Sequence, residues 1–327
     1  MATYIVRRVF YMIPTLLVIS FLSFLIMQAP PGDFLTSYIA ELSASGEQVD
    51  LELVESLRAT YGLDEPWYVQ YWLWISRFVR GDFGTSFEWN VPVRELIGQR
   101  LALTIFISML TLLFTWIVAL AIGVYSAVYQ YSIGDYIVTT IGFLGLATPN
   151  FMLALILMYI AFQVFGISVG GLFSPDYTNA PWTWGKFVDL MKHVWIPVIV
   201  IGTAGTASLI RVMRANLLDE LKKPYVVTAQ AKGVPAWRAL FKYPFRVAIN
   251  PFLSTIGWLL PALISGDIIV SVVLSLQTTG PLYYRALLSQ DMFLAGGLLM
   301  LLAILTVIGT LLSDILLAWV DPRVRYE

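Results

Sequence analysis

The chain has 327 residues, of which 58% are hydrophobic and only 13% are charged, with a net charge of -1 and a mean hydropathy of +0.77. This composition is far more apolar than that of a soluble domain of the same length, so it indicates a membrane protein and excludes an ordinary soluble enzyme. A disulfide framework, a metal centre and a nucleic-acid partner are not expected, because the chain has no cysteine, one histidine and no excess of basic residues.

Long apolar runs predict the fold. A bilayer core of about 30 Å requires about 20 apolar residues per helix, and six runs suit this length. The first run follows Arg7 and Arg8 without a small-residue cleavage site, so we expect it to remain as a helix. We predict an all-α protein with six transmembrane helices and both termini on one side. The runs are Val9 to Met27, Leu101 to Tyr129, Ile137 to Phe165, Val194 to Ile210, Val247 to Leu276 and Phe293 to Trp319.

The segment from Gln28 to Arg100 is too long to be a simple turn. It contains the helix-like stretch "DLELVESLRATYG", which Gly62 would end, and an acidic group whose ordinary meaning is a solvated surface. We therefore divide the chain into residues 1–100, with the first helix and this external segment, and residues 101–327, with the other five helices. The acidic group is Glu41, Glu47, Asp50, Glu52 and Glu55.

A few residues stand out within or beside the apolar runs. A charge at the bilayer centre costs at least about 2.5 kcal/mol, so Asp267 either faces a water-filled path or pairs within the bundle. Asp314 is expected to pair within the bundle, near the cytoplasmic end where it could meet Arg323 or boundary water, and His193 is expected at the membrane interface. Proline and glycine residues either kink the helices around a path or serve packing alone. They are Pro14, Gly123, Pro149, Pro197, Pro251 and Pro261.

Basic residues in short loops define the orientation. The N-terminus carries Arg7 and Arg8, residues 211–246 carry eight basic residues, and the C-terminus carries Arg323 and Arg325. With six helices these three regions lie on one side, which we assign to the cytoplasm. The other side receives the acidic segment and Lys186, Lys192 and Arg285.

The stretch "YVVTAQAKGVPAWRALFKYPFR", residues 225–246, predicts two short helices. Pro224 suits the first turn of a helix that continues to Lys232, and Gly233 suits a following position with positive φ. Pro235 can begin a second helix, which Pro244 disturbs.

A helix of about two turns is not stable alone in water, so it must lie against another surface. The membrane surface is one candidate, because the stretch is basic and aromatic. A protein partner fits better: "VVTAQA" is neither strongly amphipathic nor basic, and Ala229, Ala231 and Gly233 permit close backbone approach.

The same stretch resembles the EAA loop of the membrane subunits of bacterial ABC importers. The generic triplet falls on Val227, Thr228 and Ala229, of which only Ala229 matches. The pattern Y-V-x-T-A-x-A-K-G-x-x-x-W is instead similar to the branch that imports dipeptides, oligopeptides and nickel. Its residues here are Tyr225, Val226, Thr228, Ala229, Ala231, Lys232, Gly233 and Trp237.

The resemblance covers the length of the chain. Matching stretches are "YIVRRVFYMIPTLLVISFLSFLIM", "YGLDEPWYVQYWLWISRFVRGDFGTSF", "ATPNFMLALILM" and "LLAWVDPRVR". The chain departs from that branch at Ser271, where a glutamate is usual, and at Thr279-Gly280, where Pro-Gly is usual. We take Asp267 and Ser271 as candidates for the translocation path.

The resemblance implies a type I importer permease of the bacterial inner membrane that is not itself an enzyme. It implies a second homologous permease subunit, two cytoplasmic ABC ATPase subunits and an extracytoplasmic solute-binding protein. For the acidic external segment, the alternative to a solvated surface is that it helps to dock this binding protein or covers the pore mouth. The helix from Pro224 to Gly233 would seat in the ATPase and, with Trp237, couple it to the membrane helices. The chain lacks a GxxxxGK[ST] phosphate loop, so ATP and Mg²⁺ are expected on the partner chains, and no cofactor is expected on this one.

The solute stays open at this point. The resemblance favours a peptide-like solute, and an oligosaccharide, nickel or an opine are the alternatives within the same type of importer. An autonomous channel or secondary carrier is the alternative from another class. Such a carrier more often shows an acid-base relay or inverted repeats, and neither is clear here.

Overall fold

The computed structural model describes residues 2–28, 58, 64–166, 170–255 and 268–320. Within these ranges the regular elements are α-helices, which confirms the all-α class; residues 250–255 are also helical. The helices are α1 (Ala2–Gln28), α2 (Trp67–Val79), α3 (Val93–Val128), α4 (Ile133–Ala147), α5 (Asn150–Phe165), α6 (Pro175–Thr178), α7 (Trp184–Leu221), α8 (Pro224–Ala231), α9 (Ala236–Lys242), α10 (Pro244–Ala248), α11 (Ile268–Val273), α12 (Thr279–Leu288) and α13 (Met292–Val320).

Three described helices, α1, α3 and α13, are each long and apolar enough to cross a membrane. The pair α4 and α5 and the two halves of α7 raise this number to as many as five if each bent pair is one span. The middle of the predicted fifth run, residues 256–267, lies outside the described residues. The count of six and the shared side of the termini therefore stay predictions.

Helices α3 and α7 form the centre of the structure. They run in the same direction, since Thr115 on α3 donates a hydrogen bond to the carbonyl of Gly202 on α7 at 3.2 Å, and Gly123 further along α3 meets Met213 further along α7. A Cβ atom on Gly123 would lie 2.6 Å from the Met213 Cβ, and one on Gly202 would lie 2.6 Å from the Phe114 ring. Glycine therefore permits the close approach of the two backbones.

Helix α7 is much longer than the predicted run from Val194 to Ile210. It has 38 residues, roughly 57 Å, whereas a bilayer core is about 30 Å thick. An apolar run predicts only the part of a helix that lies in an apolar environment. The run therefore did not predict the charged ends of α7. The helix bends by 52° between Trp184–Thr203 and Gly205–Leu221. Thr206 bonds back to the Gly202 carbonyl at 2.7 Å near this bend, an arrangement that often bends helices.

The predicted third span is not one straight helix. Helices α4 and α5 meet at an angle of 106° at Thr148 and Pro149. Pro149 has no N–H to donate, and its ring disfavours the helical conformation at Thr148, whose φ and ψ are -84° and 122°. Of the two alternatives for Pro149, a kink or packing alone, the structure therefore shows a kink, in the form of a sharp break. In contrast, Pro14 and Pro197 lie within continuous helices.

Helix α1 packs against α13 and is joined to it by an ion pair. Arg8 and Asp314 approach to 3.1 Å. The expectation that Asp314 pairs within the bundle is therefore confirmed, and its partner is Arg8, because α1 lies alongside. Arg323 lies outside the described residues. Helix α3 begins at Val93 and so runs across the predicted division at residue 100, which stays a prediction.

Helix α2, which the sequence did not predict, packs on the last turns of α1. The hydroxyl groups of Ser20 and Tyr71 are 2.8 Å apart, and the Phe24 ring contacts Tyr71 and Trp74. The predicted helix "DLELVESLRATYG" lies almost wholly outside the described residues, as does the acidic group.

A buried carboxylate ties the segment before α3 to the start of α13. Asp291 has no exposed surface. It accepts hydrogen bonds from the Ser86 hydroxyl at 2.5 Å, from the Glu88 N–H at 3.3 Å and from the Leu294 N–H at 3.1 Å. Burial raises the pKa of Asp291 above its ordinary value, although these hydrogen bonds oppose the shift.

We expect Asp291→Ala to lower the free energy of unfolding by about 1–3 kcal/mol, because the Ser86 hydroxyl and the Leu294 N–H lose their acceptor while remaining buried. Thermal unfolding of the purified chain in detergent measures the change. Asp176→Ala, at an exposed position of α6, is the control and should change the stability by no more than about 0.5 kcal/mol. Equal melting temperatures for Asp291→Ala and wild type would contradict the prediction.

The raised pKa adds a pH test. The fold favours protonated Asp291, so this contribution to stability is present below the ordinary pKa of 3.8 and is lost as the pH rises through the raised value. The stability of wild type relative to Asp291→Asn should therefore fall over that interval.

Candidate functional site

The predicted pair of short helices is present as α8 and α9, followed by α10. Pro224 occupies the first turn of α8, which ends at Ala231, within one residue of the predicted end. Gly233 follows with φ of 79°, as predicted, and its N–H donates to the Gln230 carbonyl at 2.9 Å. A Cβ atom on Gly233 would meet nothing within 4 Å. The glycine is therefore required by the backbone conformation and not by lack of space.

Helix α8 has a buried face and an exposed face. Val226 and Ala229 point inward, with 1% and 8% exposure. Val227 on α8 is 57% exposed, and Trp237 at the start of α9 is 66% exposed. The other predicted coupling residues are also exposed: Pro224, Tyr225, Thr228, Ala231, Lys232 and Gly233. We call Val227, Trp237 and these six residues the outer face.

The structure does not support a contact of Ala229 with a partner. Its side chain faces inward, and its carbonyl accepts the Val234 N–H at 3.2 Å, which closes the turn after α8. Its small size therefore serves the packing of this chain. Of the predicted pattern, Val226 and Ala229 form the anchor and the remainder forms the outer face.

A side-chain hydrogen bond joins α8 to the end of α7. The Tyr225 hydroxyl donates to the Glu220 carboxylate. Partial burial and this bond raise the pKa of Tyr225 to about 12. No sequence pattern marks Glu220, because Glu220 and Tyr225 lie in different helices and face each other only through the turn at Lys222 and Lys223.

A groove of about 880 Å³ lies beside the outer face, between the end of α3 and α9. It is largely apolar, and Val124, Tyr125, Trp237 and Phe241 are among its lining residues. Four exposed basic residues lie on or beside the outer face and the groove, and residues 224–248 carry no acid. They are Lys232, Arg238, Lys242 and Arg246. The surface thus combines exposed apolar side chains with a positive rim.

The candidates for the path are less well defined. Ser271 lies on α11 with only 3% exposure, and the neighbouring Val270 belongs to an apolar cluster shared with α3, α5 and α7. Asp267 lies outside the described residues. Their role in translocation stays a prediction.

His193 is buried inside the protein, with 2% exposure. Its position at the membrane interface stays a prediction. Its Nδ1 atom lies 2.7 Å from the Asp189 carbonyl of the same helix. Within the described residues, no three His, Asp or Glu side chains are grouped so that they could hold a metal ion.

Comparison with known proteins gives one consistent result. Residues 119–326 match the family described as binding-protein-dependent transport system inner membrane component, and residues 1–110 match its N-terminal family. The oligopeptide transport system permease protein AppB of Bacillus subtilis is 36% identical over the full length of both chains.

Two further relatives cover the whole chain. The glutathione transport system permease protein GsiC of Escherichia coli is 30% identical over all of both chains. The peptidoglycan transport system permease protein YejB of Agrobacterium fabrum is 27% identical over 99% of its own length.

The turn at Gly233 generates a prediction. We expect Gly233→Val to increase hydrogen exchange at the amides of α8 and α9, because a β-branched residue at positive φ is strained by about 1–2 kcal/mol and the turn opens. Gly233→Asn is the matched control, since asparagine tolerates this conformation. Hydrogen exchange with mass spectrometry in detergent measures both. Equal protection in the valine variant and wild type would show that the positive φ does not hold the two helices.

Proposed function

The chain belongs to the family of binding-protein-dependent transport system inner membrane components, and we propose that it forms, with a second homologous permease subunit, the translocation path for a peptide-like solute. It is a multi-pass inner membrane protein and a permease subunit of an ABC importer, so it is not itself an enzyme. A binding protein supplies the solute, and separate subunits hydrolyse ATP. Two ATPase subunits per importer are part of the proposal.

The proposed solute follows from the relatives. The names of the three that we compared specify oligopeptide, glutathione and peptidoglycan transport, and peptide linkages are common to these solutes. Oligosaccharide, nickel and opine lack this support. Ser271 is neutral, whereas the branch that the chain resembles usually has a glutamate at this position. In our proposal this difference changes the lining of the path and leaves the type of importer the same.

The outer face is the observation that carries the proposed coupling. A helix of eight residues is too short to be stable alone, yet α8 exposes Val227 while it is anchored by Val226 and Ala229. An exposed apolar face with a positive rim suits a protein partner that has an apolar groove and acidic surroundings. We assign this role to the ATPase subunit, with α8 seated in it.

The anchoring of α8 to α7 provides a route by which movement of the ATPase reaches the membrane helices. ATP can drive transport only if it favours one state of the permease and the delivered solute favours another. A displacement of α8 by the ATPase reaches α7 through the Tyr225–Glu220 hydrogen bond and the short turn at residues 222–223. An autonomous channel or carrier has no use for such a linkage, and family membership also opposes it.

The first prediction concerns assembly. The tagged chain, extracted in mild detergent, should copurify with an ABC ATPase and with a second multi-span protein in stoichiometric amounts, which mass spectrometry identifies. Reconstituted in vesicles with the binding protein, the assembly should take up peptide only with ATP. A chain that purifies alone and transports solute without ATP would establish the channel or carrier alternative.

The second prediction concerns the outer face. Val227→Asp should reduce the amount of copurified ATPase by about tenfold or more, because it would place an unpaired carboxylate at the centre of the proposed contact. The side chain is exposed in the isolated chain, so insertion into the membrane should be normal. Val79→Asp, at an 80% exposed position of α2, is the matched control. An undiminished yield of ATPase from Val227→Asp would remove α8 from the interface.

A further inference from the structure

The first turn of α4 carries a buried carboxylate, which lies outside the outer face. Asp135 is 3% exposed. Its backbone N–H donates to the Ser132 hydroxyl at 3.1 Å, and its carboxylate accepts the Tyr131 N–H at 3.0 Å. Tyr131 has φ of 63°, so the chain folds back tightly here. The carboxylate is thereby fixed to the start of α4.

The remaining strong partner of this carboxylate belongs to α7. Arg214 donates to Asp135 through Nη2 at 2.9 Å, and the Arg214 side chain is 30% exposed. Arg214 lies in the half of α7 that leads to Glu220, to which Tyr225 of α8 is bonded. One helical segment therefore connects α8 to the start of α4.

Helix α4 leads in turn to the centre of the protein. It ends at the 106° break before α5. Ala154 and Ala161 of α5 belong to a buried apolar cluster that also contains Val270 of α11. Val270 is the residue before Ser271. A displacement of α4 is thus transmitted toward the helix that carries the candidate path residue.

We propose that Asp135 and Arg214 are a positioning pair that makes α4 follow the C-terminal half of α7 when α8 is displaced. The inference rests on the proposed function, because it assumes that α8 is moved by an ATPase. A buried carboxylate that loses its cationic partner is strongly destabilised, so the pair stays closed and the two helices move together. Apolar contacts alone would permit the helices to slide.

A neighbouring arginine provides a matched control. Arg211 lies one turn before Arg214 and lines the same cavity of about 310 Å³, but its guanidinium lies over the Phe143 ring, 5.9 Å from the ring centre. Removal of the Arg211 charge tests whether the loss of any arginine in this cavity uncouples α4 from α7, or only the loss of Arg214.

The first experiment measures solute uptake per ATP hydrolysed in the reconstituted importer. Asp135→Asn and Arg214→Gln should each retain the ATPase subunits, since the outer face is unchanged, but lose about tenfold in this ratio. The double variant should be no worse than either single variant, because their shared interaction is already lost. Arg214→Lys, which keeps the charge, should recover most of the ratio, and Arg211→Gln should resemble wild type.

The second experiment measures the movement itself. Because the chain has no cysteine, spin labels can be placed at Ile137→Cys on α4 and Ala215→Cys on α7, both at exposed positions. The distance between the labels should be equal in the nucleotide-free and ATP-trapped importer of the parent, and should differ between these states when Asp135→Asn is added.

The outcomes separate this inference from the proposed function. A wild-type assembly without ATP-dependent uptake refutes the proposed function and, with it, the basis of the inference. Wild-type uptake together with unchanged ratios in Asp135→Asn and Arg214→Gln refutes the pair alone, as does a label distance that changes in the parent. Failure of both single variants to insert or assemble would assign the pair to folding and would also overturn the proposal.

Discussion

The close packing of α3 against α7 is the contact on which the other elements depend. Two glycines, Gly123 and Gly202, let the backbones approach where a Cβ atom would lie 2.6 Å from a neighbouring side chain. The free energy of this helix contact comes from van der Waals packing in a fixed geometry. The hydrophobic effect does not contribute, because lipid tails are as apolar as the side chains. With these helices held together, the turn that follows α3 and the helices that follow α7 are brought to the same end of the bundle.

That arrangement explains how a short, weakly amphipathic helix can be held in place. Helix α8 is anchored by two small inward side chains and by the bond from Tyr225 to Glu220, so its outer face is presented without depending on intrinsic helix stability. The same half of α7 holds the start of α4 through Arg214. Helix α8 is therefore linked to two helices that diverge: α7, which packs along α3, and α4, which ends at the break before Pro149.

Much of the site was accessible from the sequence because it depends on local chemistry. Pro224 and Gly233 mark the beginning of α8 and the turn after it, since each residue type favours one backbone conformation. The long-range partners were not accessible. Asp314 meets Arg8, and Asp135 meets Arg214, because helices distant in the chain are adjacent in space. The inward position of Ala229 depends likewise on packing beneath α8.

The sequence by itself determined that the chain is all-α and of the membrane, because apolar run length and composition reflect the solvent that surrounds each segment. It also determined the two short helices and the glycine turn, which backbone sterics impose locally. Only the tertiary structure decided the length and bend of α7, the size of the break between α4 and α5, and the ionic partners of the acids. These features depend on which helices lie side by side, and side-chain contacts between distant segments leave no periodic signal in the sequence.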